Sequence, residues 1–234
     1  MINKETRFGR IRILPDGQLN VQLDRCIVEN GEVVGSLENY PFKLTPICDV
    51  NTVLAEADED LLNQGCTAIP SDVTERVTRI CDVEHTPSVC AKFIEPVTVG
   101  RSGVNRECRF SLIDILPDSQ LQVRFRKCIV EDGVIISPPE YHRVVLNPIT
   151  NVPATLSAVN QHLVKMGCGA IRTEDIDRIS RIYACEHTPL CVAKFRVNHW
   201  QQVVENYEKD GSEKIQIALT SAREKLAEAQ NDLE

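Results

Sequence analysis

Leu19, Val21 and Leu23 alternate with Gln18, Asn20 and Gln22, the period-two pattern of a strand that buries one face. Pro15-Asp16-Gly17 ahead of them is a turn signal, and Asn30-Gly31 after them is a two-residue hairpin turn in which glycine supplies positive φ at little cost. Val33-Val34 and the run Tyr40 to Leu44, which stops before Pro46, continue the extended pattern, so three or four antiparallel strands are expected. The period then changes. Val53, Leu54, Ala57, Leu61 and Leu62 fall at helical spacing with Gly65 closing the helix. Ser71 opens a second, shorter helix through Val73, Val77 and Ile80, and Thr86-Pro87 reads as an N-cap followed by proline at the first position of a third.

The same pattern returns 102 positions later without a gap. Asn3-Lys4-Glu5-Thr6-Arg7-Phe8 answers Asn105-Arg106-Glu107-Cys108-Arg109-Phe110, and Ile13-Leu14-Pro15-Asp16 answers Ile115-Leu116-Pro117-Asp118. Cys26-Ile27-Val28-Glu29 answers Cys128-Ile129-Val130-Glu131, and Glu84-His85-Thr86-Pro87 answers Glu186-His187-Thr188-Pro189. Leu121, Val123 and Phe125 repeat the strand, Asp132-Gly133 the hairpin, and His142 to Leu146 the run that ends before Pro148. A self-similar period of this length makes the repeat the unit of the fold. The expected architecture is α+β: two tandem copies of a small antiparallel β-meander followed by helices, plus a C-terminal amphipathic helix. The units are residues 1–94, a linker at 95–104 containing Gly100, Ser102 and Gly103, a second unit at 105–209 with an extended last helix, and a tail at 210–234.

The tail has no counterpart in the first copy. Beyond Asp210-Gly211, the residues Ile215, Leu219, Ala222, Leu226, Ala229 and Leu233 follow heptad spacing. A lone helix of this length is marginal in water, so the stripe needs a partner. Its own domain is one answer; homo-oligomerisation or docking onto another protein is the other, and these six residues are the candidate partner-binding set.

Charge narrows the partners. The net charge of −8 runs against nucleic acid, which requires a lysine and arginine surplus, and against an anionic membrane surface. No apolar run is long enough to span a bilayer, and the polar start Met1-Ile2-Asn3-Lys4 is unlike a signal peptide, so synthesis in a cytosol is expected.

The ten cysteines are the main candidates for chemistry. Cys66, Cys81, His85 and Cys90, loosely mirrored by Cys168, Cys185, His187 and Cys191, have a composition that could close a tetrahedral zinc site. Ligands inherited through duplication should stay in register, yet Cys81 aligns with Tyr183 and Cys90 with Val192. The expectation is therefore buried thiols, histidines next to helix caps, and no metal or other cofactor. Cys26 with Cys66, and Cys128 with Cys168, remain in register and read as core thiols or as two equivalent disulfides. Phosphate-binding glycine loops, nucleophile elbows and paired zinc-binding histidines are absent, and no enzyme is expected.

The second copy reads Ile115-Leu116-Pro117-Asp118-Ser119-Gln120-Leu121-Gln122-Val123-Arg124, then Ile129-Val130-Glu131-Asp132-Gly133, then Tyr141-His142-Arg143-Val144-Val145. This resembles a group of small tailed-bacteriophage virion and tail proteins with a Gln-x-Gln-Val-Arg strand, an Asp-Gly hairpin, a Tyr-His-Arg strand and a final helix opening at Thr-Pro, here Thr188-Pro189 and Thr86-Pro87. The first copy departs at Asn39-Tyr40-Pro41. The resemblance implies a non-enzymatic virion structural protein, a tail, baseplate or fibre-associated component made in the bacterial host cytoplasm, with other phage structural proteins as partners. A capsid decoration protein and a soluble protein-binding module in the infected cell are the competing readings.

Overall fold

The computed structural model describes residues 2–94, 103–132, 134–138, 140–210 and 216–232. The chain is α+β: one antiparallel, curled sheet and, among the described residues, seven helices. The first half runs β1 (Ile2–Ile13), β2 (Leu19–Glu29), β3 (Glu32–Ser36), β4 (Tyr40–Leu44), α1 (Val50–Asn63), α2 (Ser71–Glu84) and α3 (Pro87–Ile94). The second half runs β5 (Val104–Ile115), β6 (Leu121–Glu131), β7 (Val134–Ile135), β8 (Glu140–Leu146), α4 (Val152–Lys165), α5 (Thr173–Glu186) and α6 (Pro189–Asp210), and α7 (Gln216–Asn231) follows.

Local chemistry explains the elements. Leu14 and Gln18 close the Pro15-Asp16-Gly17 turn between β1 and β2, with Gly17 at φ +84 as the turn demands. Asp49 caps α1 by accepting from the amides of Asn51 and Thr52 at 2.9 and 3.2 Å, and Asn151 caps α4 by accepting from Ala154 at 3.1 Å. Thr86 and Thr188 accept from Val89 and Cys191 at the starts of α3 and α6, as expected of the two Thr-Pro pairs. Asp58 and Asn160 each accept from a backbone amide eleven residues on, Ile69 and Ile171, which folds the α1–α2 and α4–α5 connections back onto their helices.

Strand order is β3-β2-β1-β5-β6-β7, with β4 also on the outer edge of β2 and β8 on that of β6. Both β1 and β5 are twelve residues long, and each carries one bulge, between Phe8 and Arg10 and between Phe110 and Leu112. The halves join where β1 meets β5 antiparallel over three pairs: Ile11 with Ile115, Arg12 with Asp114, Ile13 with Ile113. The two middle residues occupy the same position in their respective halves, so a local two-fold axis passes between them. Arg12 Nε donates to Asp114 Oδ1 at 2.7 Å.

Helices α1, α2, α4 and α5 cover one face of this sheet. Ile11, Ile13, Leu19, Val21, Leu23 and Leu44 from the first half of the sheet join Ile113, Ile115, Leu121, Val123, Phe125 and Leu146 from the second. Leu54, Leu61, Val77 and Ile80, with Leu156, Leu163, Ile179 and Ile182, close the same core from the helix side. Each such side chain contributes about 1.5–3 kcal/mol by leaving water. Because the core is continuous across the β1–β5 seam and α2 packs on α5, the units expected at 1–94 and 105–209 share a single interior. Most of the expected linker, 95–102, lies outside the described residues.

Of the two answers the heptad spacing left open, the described part of the tail takes its own chain as partner. Helix α7 packs on α6, where Leu219 and Ala222 meet Val204, with Trp200, Val203, Tyr207 and Leu226 at the margin. Lys225 stands 4.6 Å from the Trp200 ring centre, and Arg223 pairs with Glu208 at 2.7 Å. Leu219, Ala222 and Ala229 are buried and Leu226 is half-buried within the chain itself, with Leu219, Ala222 and Leu226 packed against α6. The remaining two of the six, Ile215 and Leu233, lie outside the described residues.

Candidate functional site

The chain's most concentrated buried charge lies between α2 and α5, at the seam of the two halves. Arg178 on α5 reaches Glu84 at the end of α2, and Arg76 on α2 reaches Glu186 at the end of α5. Each arginine donates through Nε at 3.0 Å and through Nη2 to the second carboxylate oxygen, a bidentate geometry. Each also grips the other half's turn. Arg178 donates to the carbonyls of Leu14 (2.7 Å) and Pro15 (3.2 Å), and Arg76 to that of Leu116 (3.2 Å). Their guanidinium planes lie over phenylalanines of their own halves, Arg76 over Phe8 at 4.0 Å and Arg178 over Phe110 at 4.6 Å. Glu84 has no exposed surface and Glu186 is 3 % exposed. Burial pushes the Glu84 carboxyl above its usual value, while Arg178 and Arg181 pull it down. Both oxygens of each carboxylate are engaged by a guanidinium from the other half, so the set ties the two halves together.

The helix spacing shows why this cluster forms. Val73, Val77 and Ile80 face the core, and position 76 lies beside Val73 and Ile80 on the flank of that stripe, where a charged side chain needs a partner. The readable signal was that Arg76/Arg178 and Glu84/Glu186 are identical charged residues kept at equivalent positions in both halves.

His85 and His187 tie the ends of α2 and α5 to the β-turns of their own halves. A carbonyl only accepts, so each Nε2 donates: His85 to Gly17 at 3.1 Å and His187 to Ser119 at 2.6 Å. His187 is buried and stacks edge-on against Tyr183 at 4.0 Å. Burial lowers both imidazole pKa values, outweighing the carbonyl bonds that would raise them. A folded pKa below the unfolded value of about 6.5 means that the unfolded chain takes up the proton first. The stabilisation is therefore complete above that value and is lost as pH falls below it. Melting temperature should be flat from pH 8 to 7 and fall from pH 6.5 to 5, and His187→Asn should reduce that slope. An unchanged slope in the variant would show that His187 carries none of it.

The cysteine and histidine positions singled out in the sequence do not converge. Cys81 is buried beside Cys48 and its thiol is pushed up to about 12, chiefly by burial. Cys90 Sγ donates to the Pro46 carbonyl at 3.0 Å, and Cys185 Sγ to that of Arg79 at 3.4 Å. Cys66 is buried beside β1, and Cys168 and Cys191 are half-buried. Among the described residues, no group of three or more His, Cys, Asp or Glu is placed to hold a metal ion. All ten cysteines are free thiols, including the in-register Cys26, Cys66, Cys128 and Cys168. Cys128 instead gathers with Cys168 around Cys108, whose thiol burial pushes up to about 12. Raised thiol pKa values leave little thiolate, the reactive form.

A shallow hollow is bordered by Ile2, Lys4, Gly65, Cys66 and Thr67, where Thr67 donates to the Lys4 carbonyl on β1. Exposed apolar residues, by contrast, recur at equivalent places. Ile2 and Val104, Val34 and Ile136, Ile47 and Ile149, and Leu62 and Val164 are all at least half exposed. Among the described residues, no helix is long and apolar enough to cross a membrane. Comparison with known proteins returned no match to a family model, to a curated protein or to a solved structure.

Proposed function

We propose that this chain is a non-enzymatic bacteriophage virion structural protein, a tail, baseplate or fibre-associated adaptor built by tandem duplication of one α+β unit. The observation that carries this reading is the paired set of exposed apolar side chains, four positions presented twice by one polypeptide. Isolated surface apolar residues are ordinary; the same four retained in both halves suit two like docking surfaces offered to repeated neighbours in an assembly. The buried polar groups support it, since the strongest charge cluster is committed to joining the halves. The amphipathic C-terminal helix belongs to this reading as the outer half of the α6–α7 hairpin, an element that extends the second half only. The resemblance of the second half to small tailed-phage proteins supplies the virion setting, with other phage structural proteins as partners. Mass spectrometry of purified particles tests it: the chain should be present at a copy number that matches a tail or baseplate ring. A copy number in the hundreds would instead favour capsid decoration. Its absence from particles, with recovery in the lysate, would overturn the virion reading in favour of a soluble binding module.

A further inference from the structure

The face of the sheet turned away from the helices has its own charge pattern. In the second half, alternation with the buried Leu121, Val123 and Phe125 places Arg124 and Arg126 on that face. The register sets Arg126 directly opposite Arg109 on β5, and Arg124 directly opposite Arg143 on β8. Two neighbouring like-charge pairs thus sit on three adjacent strands, with opposed Cβ atoms about 5 Å apart, an arrangement that destabilises a sheet. The first half avoids this: Arg7 faces Asp24, and Gln22 faces Pro41.

Little in the chain neutralises the four arginines. Arg109 pairs with Glu107 at 2.8 Å, the only ion pair any of them forms among the described residues. Arg124 lies 5.3 Å from the ring centre of Tyr141. The Nε of Arg126 is buried without a hydrogen-bond partner. Arg143 is exposed and the other three are half-buried. Repulsion on this scale, in a chain of net charge −8, calls for an anion from outside.

We infer that the Arg109–Arg124–Arg126–Arg143 face docks an acidic segment of a partner protein. Guanidinium groups recognise carboxylates in bidentate fashion, and four of them on a pleated surface match several carboxylates along an extended chain. A protein is favoured over a small anion because the site is an open sheet face flanked by exposed Tyr141 and Val145. It is favoured over nucleic acid because Asp114 shares the same face and the whole chain repels a dense polyanion. The inference does not rest on the virion reading: particle analysis tests location, and peptide binding tests this face.

The probe is a fluorescein-labelled twelve-residue peptide of alternating Glu and Ser, followed by anisotropy against the full chain at 50 and 300 mM salt, with a dT12 oligonucleotide in parallel. Peptide binding should weaken at least tenfold in Arg124→Gln/Arg143→Gln and at the higher salt, and stay within twofold in Arg7→Gln, at the first-half counterpart of Arg109. Arg126→Gln, which removes a like charge facing Arg109, should leave the melting temperature unchanged or raise it at low salt. Absence of peptide binding, equal binding by the double variant, or a lower melting temperature for Arg126→Gln would overturn the inference. Tighter binding of dT12 than of the peptide would overturn it in favour of a nucleic-acid surface.

Discussion

Glu84→Ala should destabilise the chain by about 3–5 kcal/mol, although the substituted residue touches no solvent-facing feature. The loss comes from what remains. Arg178 is 8 % exposed, and its guanidinium would keep only the Leu14 and Pro15 carbonyls and the face of Phe110 to offset its burial. A charge left in that position carries a large desolvation cost, which exceeds the net worth of the intact pair. For a chain of this size each kcal/mol moves the melting temperature by about 2–4 °C, so a fall of about 6–20 °C is expected by calorimetry. Glu186→Ala should follow the same course less steeply, since Arg76 is the more exposed arginine and also lies near Ser119. Replacing both members of one pair, as Glu84→Met with Arg178→Met, should recover most of the loss, because no lone buried charge remains. A loss below about 1 kcal/mol in Glu84→Ala would mean that the pair is solvated and does not lock the seam.

Phe125→Ala should cost about 3–5 kcal/mol through a cavity at the middle of the sheet. Phe125 has no exposed surface, faces Phe110 on β5 and His142 on β8, and belongs to the core shared by both halves. Neighbouring side chains are anchored on paired strands and collapse poorly into the gap. Val145→Ala, on the opposite face of the same sheet and 48 % exposed, should stay within about 0.5 kcal/mol. Urea titration of the two variants separates the faces; equal losses would show that the helix-covered side is not the principal core.

Much of each half was legible in the sequence because its information is local. Alternation at Leu19, Val21 and Leu23 marked β2, the glycines at 31 and 65 marked a hairpin and a helix end, and Thr86-Pro87 marked the start of α3. The seam was not legible. Pairing of β1 with β5 joins residues about a hundred positions apart, and nothing in the pattern of Ile11-Arg12-Ile13 distinguishes an edge strand from a central one. The arginine–glutamate lock was visible only as charges repeated in both copies, a signal that a solvated helix face would also give until burial is known. The heptad tail shows a different limit. Its periodicity is real, but spacing specifies an apolar stripe without specifying its occupant, and the extended α6 carries a matching face at Trp200, Val203, Val204 and Tyr207.

Arg12 and Asp114 meet where the two halves face each other through the same position. Two separate, identical polypeptides meeting in this way would set arginine against arginine or aspartate against aspartate, and neither combination forms an ion pair. Joining the halves in one chain removes that restriction: the position becomes two positions, free to take opposite signs. The same freedom extends outward along the sheet, where one half keeps Arg7 facing Asp24 while the other sets Arg109 against Arg126. A single polypeptide can thus present related but unequal sides to its surroundings, and a neighbour that reads charge can tell one side from the other. In an assembly, that gives the molecule a direction.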